Sequence, residues 1–378
     1  MKSFLHKFFL LASAFVLLQI SHTKGQVVTT IVKGLMNPTS ILVGKLDTLY
    51  VFSEIDHTMR KIDPLGGVSI FVGTGGSGGT DGIGTAASFG NIINMIMDTA
   101  GNIYACDYTY GAIRKITPAG VVTTLMYTGK SNRTVGITLG KADTIIIVNH
   151  LSGEMEKINT TNGTISYFTK VPIYCFGLAK GEKDTIYIGG YGTQKIYKVD
   201  PLGNYTTFAG AGGSGYVDGV GTIARFRGPS NIVLDGLGNL FVTDVLDNRI
   251  RKVTPDGVVT TFAGSGDTAE IDGTGTSAAF DRPYCIVMSP KTGNFYVIDN
   301  IVSGSIRKIT GGVPLKVENT MATNASPLTV FPSPFKDAFT IVSPNQQNLQ
   351  LINMQGQIVQ QIALKAGRQN IILAQLPS

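Results

Sequence analysis

Residues 231–264 contain four short phrases in succession: Asn231-Ile-Val-Leu-Asp235, Gly238-Asn-Leu-Phe-Val-Thr-Asp244, Asn248-Arg-Ile-Arg-Lys-Val-Thr-Pro255 and Asp256-Gly-Val-Val-Thr-Thr-Phe-Ala-Gly264. Each phrase is a run of β-branched or aromatic residues bounded by Gly, Asn, Asp or Pro. This pattern is typical of short β-strands joined by tight turns. The stretch therefore predicts one unit of four consecutive strands.

The unit recurs along the chain. Its third phrase is the best marker of a copy, and it returns at Arg60–Pro64, Arg114–Pro118, Glu156–Ile158, Tyr197–Pro201 and Arg307–Thr310. Residues 36–312 thus hold six copies of a module of about 40 residues, and a period in this range is typical of a β-propeller with one copy per blade. The sequence predicts an all-β, six-bladed propeller.

The ends of the repeat region complement each other. Gln26–Gly34 resembles the fourth phrase, Gly257–Gly264, without the rest of its copy, whereas the last copy ends near Thr310 and lacks that phrase. We therefore expect the N-terminal strand to complete the sixth blade. Closure of this kind protects the edges that an open sheet would expose.

Three Gly-rich inserts interrupt the regular spacing after the first, fourth and fifth copies. They are Gly73–Phe89, Gly210–Phe226 and Gly264–Phe280, and they share Asp-Gly-x-Gly-Thr-x-Ala-x-Phe. Each lies between the outer strand of one blade and the inner strand of the next. We expect loops on one rim of the propeller, where insertions within repeats collect.

The aspartates that begin the shared insert motif are candidate ligand contacts on this rim. They could hold calcium, because hard cations take carboxylate and carbonyl oxygens. One carboxylate per loop is thin coordination, and an Asp before Gly commonly accepts hydrogen bonds within its own turn. The turn interpretation is favoured, with the final Phe of the motif packed between blades. The aspartates are Asp81, Asp218 and Asp272.

The repeat resembles that of the NHL-repeat propellers. The matching residues are Asp235–Asp244, the following Asn248-Arg-Ile250, and the prolines ahead of two inner strands, Pro229 and Pro283. Such propellers mostly bind proteins, peptides, glycans or nucleic acids, and a minority of related six-bladed propellers are metal-dependent hydrolases or lyases. The resemblance, over residues 26–312, implies a binding or interaction module whose protein, peptide or glycan ligand meets the insert rim. The alternative is a hydrolase or lactonase of the gluconolactonase-like type.

In that alternative the central channel would hold a divalent cation on acidic and amide side chains. Asn94 and Asn231 are the candidate channel contacts, because the inner-strand positions align as Ser40, Asn94, Gly136, Cys175, Asn231 and Cys285. This ring offers two amides and no carboxylate. We therefore assign no catalytic or cofactor-binding residue, and a binding protein is favoured over an enzyme.

Other chemical motifs are weak. Gly73–Gly78 and Gly210–Gly215 fit G-x-G-x-x-G but precede Asp-Gly rather than a helix, so no dinucleotide site is predicted. His57 and His150 fall in non-adjacent blades without matched partners, which argues against a catalytic triad. Cys106, Cys175 and Cys285 lack metal or redox spacing, so we expect three reduced, buried thiols.

The Arg-Lys pair of the third phrase could form a basic stripe, but packing is the favoured interpretation. Neighbouring residues of a strand point to opposite faces, and both faces of a blade meet other blades. We expect the aliphatic stems to lie along that packing with their charges at the rim. Asp107, Asp244 and Asp299, which recur after second strands, are expected to cap turns.

Residues 1–25 are predicted to be a cleaved signal peptide, because Lys2 and Lys7 precede the apolar stretch Phe8–Ile20. No membrane span is expected after cleavage. Without this region the chain keeps 28 basic residues against 25 acidic residues. So small an excess does not predict a nucleic-acid partner.

The C-terminal region has a different composition. Residues 313–327 are predicted to be a linker, and residues 328–378 a small, incomplete β-sandwich. The motifs Phe331-Pro-Ser-Pro-Phe335 and Asn353–Val359, together with Gly367–Pro377, resemble the sorting domain of type IX secretion cargo. The sequence given stops at Ser378, before strands that such domains normally add, so a truncated domain is expected. The resemblance implies a secreted or outer-surface protein that engages the type IX machinery.

Deletion of Ser326–Ser378 tests this assignment. We expect the shortened protein to stay within the cell envelope, because it lacks the segment that the secretion machinery recognises, while the full chain reaches the surface or medium. Immunoblots of fractionated cells measure the difference. Release of the shortened chain at the full-length level would contradict the assignment.

Overall fold

Six antiparallel sheets are arranged around one axis in residues 25–315, one of two units into which the chain divides. The computed structural model describes residues 26–129, 133–299 and 304–311, and strands at 15–19, 329–331, 338–343, 347–352, 358–364 and 367–372. Each sheet is one blade, with an inner, a second, a third and an outer strand. The predicted six-bladed all-β propeller is confirmed.

The blades follow the sequence copies in order. Blade 1 comprises Pro38–Val43, Leu49–Ser53, Thr58–Ile62 and Val68–Val72. Blade 2 comprises Ile92–Met97, Ile103–Asp107, Ala112–Ile116 and Val121–Tyr127. Blade 3 comprises Thr134–Leu139, Thr144–Asn149, Glu154–Asn159 and Ile165–Lys170.

The second half repeats the plan. Blade 4 comprises Cys175–Lys180, Ile186–Gly190, Lys195–Val199 and Tyr205–Ala209. Blade 5 comprises Pro229–Leu234, Leu240–Asp244, Arg249–Val253 and Val258–Ala263. Blade 6 comprises Cys285–Met288, Phe295–Asp299, Ser305–Thr310 and Val27–Val32. Short 3-10 helices lie at Lys45–Asp47, Gly84–Ala86, Glu182–Asp184, Gly221–Ile223, Val245–Asp247 and Gly275–Ser277.

The N-terminal strand closes the ring as predicted. Val27–Val32 pairs antiparallel with Ser305–Thr310, which places Val28 opposite Ile309. Both side chains are buried in one cluster with Phe295. The inner strand of blade 6 also contacts that of blade 1. Residues from both ends of the propeller sequence therefore build its last blade.

Every outer strand carries one β-bulge where it pairs with the third strand. In blade 1, for example, Met59 faces Val72 and Arg60 faces Ile70, so Phe71 is the extra residue. A bulge bends its strand and re-aims the side chain of the extra residue. The six bulge residues are Phe71, Leu125, Phe168, Phe208, Phe262 and Ile31.

The inserts add strands rather than free loops. Gly82–Ile83 pairs with the outer strand of blade 2, Gly219–Val220 with that of blade 5, and Gly273–Thr274 with that of blade 6. A two-residue fifth strand thus covers part of an otherwise unpaired edge. The last residue of each insert, Phe89, Phe226 or Phe280, is fully buried, which confirms the expected packing of the motif's aromatic ring.

The second unit is formed by residues 1–24 and 316–378. It holds two three-stranded sheets. In one, Phe15–Gln19 pairs parallel with Gln347–Ile352, which pairs with Ile358–Leu364. The other contains Thr329–Phe331, Ala338–Ser343 and Gly367–Ile372.

Two boundary assignments are not tested by the structure. The predicted linker, 313–327, lies outside the described residues, and so does most of the predicted signal peptide, 1–25. Both remain predictions. In the described part of the chain, the helices are too short to cross a membrane.

Ring closure can be tested at Val28, which is fully buried. We expect Val28→Asp to lower the free energy of unfolding by about 3–5 kcal/mol, because it buries an unpaired carboxylate. Ile31→Asp is the matched control, since the bulge residue Ile31 is 37% exposed in the same strand. Urea unfolding measures both variants, and equal midpoints would contradict the closing role of the strand.

Candidate functional site

The inserts lie at one end of the propeller, where outer strands connect to the next inner strands and second strands turn into third strands. We call this end the insert face. Each insert is held there by a buried arginine of the third strand. In blade 5, Arg251 donates to Asp218 of the insert at 2.6 Å and to Asp244 at the end of the second strand at 3.3 Å. It also donates to the backbone carbonyls of Arg225 and Val217.

Blades 2 and 6 repeat this arrangement, which we call the arginine clasp. Arg114 lies 3.0 Å from Asp81 and 3.6 Å from Asp107. Arg307 lies 3.0 Å from Asp272 and 2.6 Å from Asp299. The guanidinium of each clasp also lies 5.1–5.2 Å from the ring of the final insert residue, Phe89, Phe226 or Phe280. The clasp fixes each insert onto the blade that follows it.

The arginine, its two aspartates and the insert occur together. Blades 3 and 4 follow no insert, and they carry Glu156 and Tyr197 in the place of the arginine and Asn149 and Gly190 in the place of the second-strand aspartate. Blade 1 keeps Arg60, which pairs with Asp56 of its own turn. The complete clasp is therefore tied to the presence of an insert.

This geometry corrects two expectations about charged residues. The clasp guanidinium groups do not reach the rim, because Arg114, Arg251 and Arg307 are at most 1% exposed. Their partners on the second strands do more than cap turns. Asp107 and Asp244, for example, accept backbone N–H groups of Gly90 and Arg227 and also face the buried arginines.

The two carboxylates of a clasp have opposite electrostatic environments. Burial raises the pKa of Asp244 and of Asp299 to about 7, against the opposing effect of the facing arginine. Partial burial alone would also raise the pKa of Asp81, but hydrogen bonds from Thr124 and the charge of Arg114 bring it below its ordinary value. The pKa of Asp272 is likewise below its ordinary value, because hydrogen bonds from Thr30 and the charge of Arg307 outweigh partial burial. Asp81 and Asp272 are therefore the ionised partners of their arginines.

The insert aspartates proposed as ligand contacts are half-exposed, with 43–50% of each side chain accessible. Each is nevertheless committed to a clasp arginine and to a threonine of the outer strand. Within the described ranges no three His, Cys, Asp or Glu side chains are grouped closely enough to hold a metal ion. The donor sets at Asp81, Asp218 and Asp272 thus fit an internal brace better than calcium.

The lysine of the third strand, which follows Arg60 in blade 1 and Glu156 in blade 3, points to the other face of its blade. Lys61 lies 3.7 Å from the ring centroid of Phe71, and Lys157 lies 3.8 Å from that of Phe168. Arg60 and Lys61 thus alternate across the strand, as the pleat requires. The packing interpretation of the pair is confirmed.

At the channel, the strand register corrects one aligned position. Cys175 faces Gly190 at the end of the second strand, as Pro229 faces Asp244 in blade 5, so Cys175 is the equivalent of Pro229 and not of Asn231. Gly177, rather than Cys175, then lines the channel with Asn94, Asn231 and Cys285. All three cysteines are free and buried, as expected.

The two channel amides are engaged with backbone. Asn94 accepts the N–H of Met95, and Asn231 accepts the N–H of Ile286 from blade 6 at 3.2 Å. The cavity beside them has a volume of about 10 Å³, which is about the room that one water needs. The channel at this level is closely packed.

The insert face is more open where the channel begins. The residue before each inner strand sits beside the residue after the second strand, and backbone hydrogen bonds join them, as from Tyr108 to Asn91 and from His150 to Arg133, both 2.9 Å. We define the channel mouth as Asn37, Glu54, Asn91, Tyr108, Arg133, His150, Tyr174, Phe176, Tyr191 and Tyr284.

A row of aromatic rings runs across the mouth at blades 3 and 4. The ring of His150 lies 5.1 Å from that of Tyr174 and 4.7 Å from that of Phe176, and Phe176 lies 5.5 Å from Tyr191. Tyr174 is 45% exposed. Burial lowers the pKa of His150, and the charge of Arg133 lowers it further, so the imidazole is neutral at pH 7. The row is an uncharged, amphipathic surface.

Polar groups border this row. Glu54 accepts hydrogen bonds from Asn37 at 2.7 Å and from Asn91 at 2.6 Å. Burial raises the pKa of Tyr284, and the neighbouring Cys285 and Glu54 raise it further, so its phenol stays a hydrogen-bond donor. Across the mouth, Arg133 donates to the Tyr108 hydroxyl at 2.8 Å. Planar donors and acceptors therefore surround the aromatic row.

Sequence reasoning pointed to the insert rim but missed the mouth. The signal was the residue directly after each second strand, which changes from blade to blade: Glu54, Tyr108, His150, Tyr191 and Val245. The candidates Asn94 and Asn231 lie on the channel wall among close-packed residues, and their role as ligand contacts stays a prediction. In the sequence, His150 is considered only as a member of a catalytic triad, and its lack of matched partners argues against that role. The structure places its ring in the aromatic row.

Residues 329–378 match the family described as the secretion system C-terminal sorting domain. The chain carries a type IX sorting domain. That domain indicates export to the cell surface or beyond, as the sequence predicted. No curated protein has a sequence that matches this chain.

Solved structures resemble the propeller unit. An auxiliary nutrient binding protein from Bacteroides ovatus is 21% identical, with 76% of each chain covered and a TM-score of 0.61. A gluconolactonase from Xanthomonas campestris is 12% identical, with 77% of this chain and 91% of the other covered, and a TM-score of 0.57. The virginiamycin B lyase from Staphylococcus aureus is 14% identical, with 75% and 99% covered, and a TM-score of 0.53. These likenesses show the fold alone.

Replacing Arg251 tests the clasp. Arg251→Met should lower the free energy of unfolding by about 3–5 kcal/mol, because Asp244 is left buried without its partner. The pKa of a buried Asp244 is raised to about 7, from about 4 in the unfolded chain. The charge of Arg251 holds this pKa down, so Arg251→Met raises it further. Below about pH 7 the folded wild type and the folded variant both keep the proton, so the destabilisation should grow as pH rises above about 7.

Arg225→Met is the control, since Arg225 lies in the same insert with an exposed side chain. It should change stability by less than about 0.5 kcal/mol. Urea unfolding and hydrogen exchange of residues 210–226 measure the two variants. Equal protection of the insert in both would show that Arg251 does not hold it.

Proposed function

We propose that the protein is a secreted or surface-exposed binding protein that holds a glycan at the channel mouth. The observation that carries this proposal is the aromatic row of His150, Tyr174, Phe176 and Tyr191, bordered by hydrogen-bonding side chains. Such rings offer a large rigid contact area at little conformational cost. A sugar ring has one apolar C–H face and a rim of hydroxyls, which matches this combination.

The position of the row also favours binding. The inserts pair with the outer strands of blades 2, 5 and 6, so neither blade that carries the row has an insert on its outer strand. The sorting domain supports an encounter with ligands outside the cell. A structural neighbour described as an auxiliary nutrient binding protein is consistent with such a role.

The channel-centred metal-dependent hydrolase receives less support. Its candidate ligands, Asn94 and Asn231, accept backbone hydrogen bonds. Asp107, Asp244 and Asp299 of the second strands are engaged by buried arginines. The side chains at the channel therefore fit a packed wall better than a divalent-cation site, and we derive no reaction through one.

Tyr174→Ala tests the proposal in the full chain. On an array of neutral oligosaccharides, we expect the wild type to bind a defined subset and the variant to bind it at least tenfold more weakly, since one stacking ring is worth about 1.5 kcal/mol. Tyr205→Ala is the matched control, because Tyr205 is 44% exposed in an outer strand. It should bind like the wild type.

Two outcomes would overturn the proposal. One is that Ile223→Ser loses binding while Tyr174→Ala binds like the wild type. Ile223 is 68% exposed on an insert, so this result would place the ligand contact on that loop instead of the mouth. The other is capture of unglycosylated peptides on a parallel array with no oligosaccharide bound, which would replace the glycan by a peptide.

A further inference from the structure

A second cavity opens at the opposite end of the propeller, between blades 3 and 4. Its volume is about 240 Å³. The residues that form it include Lys141 and Asp184, which lie in the connections from inner to second strands, and therefore at the end away from the inserts. Nothing in the mouth or the clasps uses this cavity.

The cavity exists because blade 3 departs from the repeat. In blades 1, 4 and 5 an aromatic residue of the second strand packs on the aromatic bulge residue of the outer strand, with ring centroids 4.7–5.3 Å apart: Tyr50 and Phe71, Tyr187 and Phe208, Phe241 and Phe262. In blade 3 the bulge residue is Phe168, but the second strand offers Ile146. The missing ring leaves space between Phe168 and Ile186 of blade 4.

Positive charge faces that space. Lys157 lies along Phe168 with its ammonium 3.8 Å from the ring centroid, and it has no carboxylate partner among the described residues. Lys141 and Lys180 both pair with Asp184, at 2.8 and 3.1 Å. Hydrogen bonds from these two lysines lower the pKa of Asp184, so its carboxylate stays ionised. Three ammonium groups thus meet one carboxylate.

The equivalent junction between blades 6 and 1 shows that this charge is not a property of the repeat. A cavity of about 210 Å³ lies there, where the bulge residue is Ile31. Its charged lining is Asp47, Asp63 and Lys308. Two carboxylates and one ammonium give it the opposite balance. The blade 3–4 cavity therefore has the more positively charged lining of the two.

We propose that the cavity between blades 3 and 4 binds a small organic carboxylate with an apolar body. The body would contact Ile146, Phe168 and Ile186, and the carboxylate would pair with Lys157. An apolar cavity of about 150 Å³ holds benzene, so by proportion this one holds a molecule of about ten non-hydrogen atoms. This site is independent of the glycan proposal.

Phenylacetate has the matching size and charge and serves as the probe. Isothermal titration calorimetry with the full chain should give a dissociation constant below about 1 mM, with binding at least tenfold weaker for the neutral 2-phenylacetamide. Lys157→Met keeps the stem and removes the charge, so it should weaken phenylacetate binding about tenfold and leave phenylacetamide binding unchanged. Lys252→Met, at the equivalent position over Phe241 in blade 5, should leave both unchanged.

Ile146→Tyr restores the ring found in blades 1 and 4 and should abolish binding of both probes by filling the cavity. Circular dichroism confirms folding of each variant. The proposal is overturned if phenylacetate does not bind at about 10 mM, a concentration well above the expected dissociation constant. It is also overturned if Lys157→Met and Ile146→Tyr both bind phenylacetate as the wild type does.

Discussion

The pairing of a buried guanidinium with two carboxylates organises three of the six blades. Burying a charge is unfavourable unless it is paired and hydrogen-bonded, and Arg251 reaches this state only when the insert brings Asp218 and two carbonyl groups to it. Its Nε has no partner in the described structure. Replacing the arginine together with both of its aspartates by apolar residues of the same volume can leave stability unchanged, whereas replacing the arginine alone leaves a buried carboxylate unpaired. The arginine ties the insert to the position in which Asp218 and two backbone carbonyl groups meet its guanidinium.

The chain thus uses its repeat in two ways. The Arg-Lys pair sends one cation to each face of the blade, where Arg114 meets carboxylates and Lys115 lies near the ring of Tyr104. This packing repeats from blade to blade. Departures from it, such as His150 after a second strand and Ile146 within one, open the surfaces where binding is proposed.

Much of the fold could be predicted from local pattern, because each blade is built from strands adjacent in sequence. Even the closing strand was recognisable, since Gln26–Gly34 has the phrase that the last copy lacks. The clasp could not be predicted in this way, because Asp218 and Arg251 lie 33 residues apart in sequence and meet only when the insert pairs with the outer strand of its blade. The placement of Gly177 instead of Cys175 at the channel follows from strand pairing. Cys175 faces Gly190 as Pro229 faces Asp244, and the sequence of the inner strand of blade 4 does not show which of its residues face the second strand.

The closing strand has a consequence for the order of assembly. Val27–Val32 is synthesised before every other strand of the propeller, yet its partner Ser305–Thr310 is the last. Pairing between such distant segments forms slowly, because loop closure must precede it. The ring cannot shut while the C-terminal part of the propeller is still being made. A growing chain therefore stays open along one edge until synthesis is nearly complete, and an exported chain completes its last blade only when both ends of the propeller are on the same side of the membrane.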